Sequence, residues 1–108
     1  MSTRTYRVTV RGVFDGLDDD QRAALRARSA EHDLITSGFS EQGALAYDAA
    51  LRAFSHRVVV RVPAGPDEEA EALTAGELSA IDRLGALGVG YRELRVSAVC
   101  ADDIRIRR

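Results

Sequence analysis

The side chains able to do chemistry in this chain fall into two groups. His56, with Tyr47 and Asp48 shortly before it, is the candidate for general acid–base work. An imidazole titrates near neutrality, but it needs a neighbour to orient it and a cavity to work in. The second group is Arg7, Arg11, Arg57, Arg61 and Arg95. Guanidinium groups match the geometry of carboxylates and phosphates, so a cluster of them points to an anionic ligand. Each group also has a plainer reading. The histidine can be a hydrogen-bonded core residue. The arginines can be a solvated sheet face, or one paired with Glu93 and with acidic groups of a second subunit.

Absences narrow the chemistry. All 15 basic residues are arginine, so Schiff-base chemistry and a phosphate-loop lysine are excluded. There is no Asn either, and hence no N-glycosylation acceptor. Lys and Asn share A-rich codons, so a GC-rich genome accounts for both gaps. Cys100 stands alone, which rules out an internal disulfide and a thiolate zinc cluster within one chain. With no cationic partner evident in the sequence, it reads as a small core residue. His32 and His56 are the only histidines, too few for a three-histidine zinc site, and no HxxxH or HxxE spacing supports a mixed one. Neither metal nor cofactor is expected.

The net charge of −2 argues against nucleic acid as a partner. An RNA-reading sheet would carry aromatics at the centres of its first and third strands, where Thr9 and Val59 stand. No apolar run approaches the roughly 18 residues of a membrane span. The opening MSTRTYRV lacks the apolar core of a secretory signal, so a cytoplasmic location is expected.

The elements that must position these groups follow from periodicity. Tyr6, Val8 and Val10 alternate with Thr5, Arg7, Thr9 and Arg11, the period of a strand with one buried face. Gly12 and Gly16 are read as bracketing a loop, with Phe14 plugging one end of the core. Asp18 with Gln21 makes a capping box for a helix reaching about residue 31, its thin stripe formed by Leu17, Ala24, Leu25 and Ala27 or Arg28. Residues 34–48 read as an irregular second strand with a turn at 40–43, and 48–51 as a hairpin turn. A third strand covers 52–62, with Val58, Val60 and Val62 on one side and Arg57, Val59 and Arg61 on the other. Pro66 suits the first position of a second helix running to Leu87, where Gly88 stops it. Its expected stripe is Ala70, Leu73, Ala80, Ile81, Leu84 and Leu87, and Gly76 inside it costs about 1 kcal/mol against Ala. Residues 91–100 form a fourth strand, and 102–108 a charged tail.

One domain of 108 residues in the order βαββαβ predicts an α+β, ferredoxin-like fold: a four-stranded antiparallel sheet with both helices on one face. Strands one and three are then central. The phase of the strands places Arg7, Arg11, Arg57, Arg61 and Arg95 together on the face away from the helices. His56 has the opposite phase and points toward the helices.

The order of elements and the glycines after the first strand invite comparison with acylphosphatases. The resemblance stops at topology, because the loop runs into Asp15 and Asp18–Asp20, which repel phosphate, and the required Asn is missing. The segments TYRVTVRGVFDGL, DQRAAL, EHD, YDxALRxF (from Tyr47 to Phe54) and GYRELRV resemble an uncharacterised family of small actinobacterial proteins, a domain of unknown function. The similarity covers nearly the whole chain, is most specific through Leu17, and implies one-domain architecture without supplying catalytic residues. Two functions are therefore expected. The first is a small self-associating, homodimeric or anionic-ligand-binding domain. The alternative is a cofactor-free enzyme of the dimeric α+β barrel type, a cyclase or monooxygenase on a small organic substrate. In it His56, Tyr47 and Asp48 would act as acid and base, with Arg57, Arg61 or Arg95 holding the anion.

Overall fold

A computed structural model of the chain describes residues 2–28 and 39–101. His32, the expected end of the first helix, the start of the irregular second strand and the 102–108 tail lie outside the described residues. Six elements follow one another: β1 (Thr3–Asp15), α1 (Asp19–Ala27), β2 (Ala44–Tyr47), β3 (Ala53–Pro63), α2 (Glu68–Leu87) and β4 (Gly90–Cys100). The strands form one antiparallel sheet in the order β2-β3-β1-β4, so β1 and β3 are central. The molecule is thus α+β, a four-stranded antiparallel sheet with two helices among the described residues.

The core lies on the even-numbered side of the central strands. Tyr6, Val8, Val10, Val58 and Val62 pack there with Ala72 and Ala80 of α2 and with Cys100. A second cluster closes the other end of the sheet. Leu25 of α1 and Leu84 of α2 join Phe14, Leu45, Tyr47, Leu51, Phe54 and Val89, so both helices bury residues against the same sheet face. Phe14 does close this end: its ring meets Tyr47 edge-on at 5.8 Å and Phe54 at 5.0 Å.

Local signals explain the element ends. Asp18 accepts from the Gln21 backbone N–H at 2.7 Å, and the Gln21 side chain accepts from the Asp18 N–H at 2.8 Å, completing the capping box. Helix α1 nevertheless ends at Ala27, and only Leu25 of its expected stripe is buried. Gly88, at φ 71°, stops α2. Pro66 stands just before the Asp67 N-cap and outside the helix, which starts at Glu68. Strand β2 is only Ala44–Tyr47, although the Ser40 carbonyl prolongs its pairing by accepting from the Val59 N–H at 2.8 Å.

Two glycines have roles the linear reading did not assign. Gly12 lies inside β1, not at the edge of a loop, and a Cβ there would meet Phe54 Cζ at 2.7 Å and Leu94 Cδ2 at 2.9 Å. Helix α2 buries Ala72, Gly76, Ala80 and Leu84, a stripe of mostly small residues at spacing four, while Ala70 is exposed. A Cβ on Gly76 would sit 2.2 Å from Val8 Cγ1. The residue that weakens the helix locally is the one that lets it lie on the sheet.

Candidate functional site

Strand register decides where the arginines go, because residues directly opposite each other in a ladder share a face. Arg7 faces Val59, Thr9 faces Arg57, and Thr5 faces Arg61 across β1 and β3. Across β1 and β4, Arg7 faces Val99 and Arg11 faces Arg95. All five therefore rise from the sheet face opposite the helices.

Their surroundings differ. Arg61 pairs with Glu41 at 2.8 Å. Arg7 lies under the ring of Phe39, its guanidinium carbon 5.8 Å from the centroid, between Val59 and the 54% exposed Val99. Arg57 is half-buried beside Thr9 and Ala44. Arg11 and Arg95 have a different setting. They are exposed, directly opposite each other, and line a concavity of about 250 Å³ with Gly12, Val13 and Glu93.

A β-bulge makes that concavity. The ladder slips between Arg11 and Val13, where Arg11 pairs with Arg95 but Val13 pairs with Arg92. Glu93, in the extra length of β4, takes φ 58°, a left-handed conformation that a non-glycine residue seldom adopts. Arg92 reaches toward Asp15 at 3.8 Å and Glu93 at 3.9 Å, contacts too long for hydrogen bonds. On the other flank of Arg11, across β3, is Ser55. Its hydroxyl is buried and has no partner among the described residues.

The acid–base candidates lie elsewhere and apart from one another. His56 is fully buried on the helix face, its Nε2 2.9 Å from Ser79 Oγ on α2. Burial, helped by the nearby Arg83 charge, pulls its pKa down to about 4, so the ring is neutral at physiological pH. The imidazole edge packs against Gly43, whose φ of 85° and missing Cβ admit it: a Cβ there would lie 2.5 Å from His56 Cε1. Arg83 fixes the same turn by donating to the Gly43 carbonyl at 3.0 Å. Ser79 borders an open groove of about 630 Å³ along α2, with His56 behind it. The Tyr47 hydroxyl donates to the Leu25 carbonyl, and Asp48 Oδ1 accepts from the Arg52 N–H at 3.0 Å to close the hairpin turn.

One polar network was invisible in the sequence. Glu68 Oε2 accepts from Arg4 Nε at 3.0 Å and from the Tyr6 hydroxyl at 2.7 Å, while its Oε1 accepts from the Gly65 N–H at 3.2 Å. These donors hold the Glu68 carboxyl below its ordinary pKa, and bonding to that carboxylate pushes the Tyr6 phenol up. Arg4 Nη2 also donates to Cys100 Sγ at 3.3 Å, so the cysteine does have a cationic neighbour. Gly65 aside, the partners are more than 60 residues apart, and no local pattern announces them.

Among the described residues no group of three or more His, Cys, Asp and Glu side chains is placed to hold a metal ion, and no helix is long and apolar enough to cross a membrane. Comparison with curated proteins and with solved structures found no match. The model of a family of unknown function, DUF6204, matches residues 1–108, and the chain belongs to that family.

Proposed function

We propose that this is an anion-binding domain of ferredoxin-like type whose site is the concavity between Arg11 and Arg95. The fold assignment rests on the βαββαβ order with β1 and β3 central. The functional reading rests on one observation: two exposed arginines sit directly opposite each other in a ladder, beside a metabolite-sized hollow. Like charges at directly opposed positions destabilise a sheet by a few tenths of a kcal/mol. A bound carboxylate or phosphate removes that repulsion and accepts several charge-assisted hydrogen bonds.

Succinate, a dicarboxylate without other ionic groups, is a suitable probe. In an amide chemical-shift titration it should move Arg11, Gly12, Val13 and Arg95 saturably at low ionic strength, and weaken as salt screens the pair. The Arg11→Ala/Arg95→Ala double variant should lose those shifts. Shifts that persist in the double variant would remove the site from this position.

Self-association through the same face is a second reading. It is favoured by the exposed Val99 and the partly exposed Phe39 around Arg7. A second copy laid on this face would bring like charges together, so dimerisation would require anions between the copies. Light scattering at high micromolar concentration, with and without succinate, tests it; a monomer in both conditions rejects it.

A further inference from the structure

We infer that the Arg11–Arg95 hollow takes an amino-acid-like ligand, a small carboxylate that also carries an ammonium group, and not a simple anion. The inference rests on the anion-binding reading and adds the chemical class of the ligand. Its basis is Glu93. A hollow built only for anions gains nothing from a carboxylate in its wall, yet Glu93 lines this one together with the two arginines. The bulge puts it there: the extra length of β4 opposite Gly12 holds Glu93 at φ 58°. A bulge re-aims side chains, and a non-glycine residue kept in the left-handed region stores strain that the surrounding structure must hold. The ion pair it makes with its neighbour on β4 is long and solvent-exposed. Arg92 Nη1 stands 3.9 Å away, and both side chains are more than half exposed.

The three charged walls sum to one positive charge. They match a ligand with two carboxylates and one ammonium, each carboxylate facing a guanidinium and the ammonium facing Glu93. The open hollow, about 250 Å³, has room for a molecule of that size.

Aspartate and succinate share a carbon skeleton and differ in the α-ammonium, so together they isolate the role of Glu93. Calorimetric or chemical-shift titrations at pH 7 should show aspartate binding about threefold to fivefold tighter than succinate, the size that an exposed ion pair reaches. In the Glu93→Gln variant the two should bind alike, with succinate as tight as before or tighter. Equal affinities in the unaltered protein, or a preference for aspartate that survives Glu93→Gln, would overturn the inference while leaving the anion site standing. Binding of neither probe would overturn both readings. Glu93→Asn, whose shorter side chain tolerates the left-handed backbone, serves as a second variant should Glu93→Gln distort the bulge.

Discussion

The two faces of the sheet treat the arginines at the two ends of β1 differently. On the helix face, charge is neutralised where it is made. Arg4 is bonded to Glu68, Glu68 to Tyr6, and His56 is kept neutral against Ser79. On the other face, β1 carries Arg11 directly opposite Arg95, and the nearest carboxylate in the wall of the hollow belongs to a strained residue. The same strand thus contributes an arginine that serves the fold at one end and an arginine that works against it at the other. A like-charge pair directly opposed across a ladder, at the edge of a bulge, is the kind of feature that a ligand resolves. That contrast carries the functional reading.

The largest effect should come from disturbing the tight face. Gly76→Ala improves helix propensity by about 1 kcal/mol yet drives a methyl into Val8 Cγ1. The clash should win and destabilise the protein by up to about 3 kcal/mol, read as a lower urea midpoint at unchanged slope. A stabilised variant would mean that α2 lies further from the sheet than described.

Acid should act on the same face. The unfolded chain protonates His56 near its ordinary 6.5, the folded one only near 4. As pH falls between those values the unfolded state takes up a proton that the folded state refuses, so stability drops with acidification and levels off below about 4. Between pH 7 and pH 5 the loss should be about 2 kcal/mol. His56→Gln should flatten that stretch of the profile. Glu68 acts in a separate window: its lowered pKa gives stability present above the ordinary carboxylate range and lost only in stronger acid.

The smallest stability effect should come from the open face. Arg11→Ala or Arg95→Ala should leave the stability unchanged or raise it by a few tenths of a kcal/mol, while each weakens succinate binding. Variants of the tight face should do the reverse, costing stability with little direct effect on the hollow.

Much of this arrangement was legible in the chain. Strict alternation over Tyr6 to Arg11 fixed the phase of β1, and through it the common face of the five arginines and the inward turn of His56. The capping box and the Gly88 stop depend on residues within a few positions of each other, so they too could be read directly. The buried stripe of α2 could not. In a helix rich in alanine, sequence contrast is weak, and Ala72 and Gly76 are buried because the sheet approaches there, not because they are strongly apolar. Nor could the Arg4–Glu68–Tyr6 network or the bulge at Glu93 be read, since both arise only when distant segments come into register.

The most direct test of the contrast between the faces is a single charge reversal, Arg95→Glu, with stability and succinate binding measured on the same sample. If Arg11 and Arg95 repel each other in the free protein and together hold an anion, the variant should gain roughly 0.5 kcal/mol of stability and lose succinate binding at once. A variant that is less stable, or that still binds succinate as before, would contradict the account.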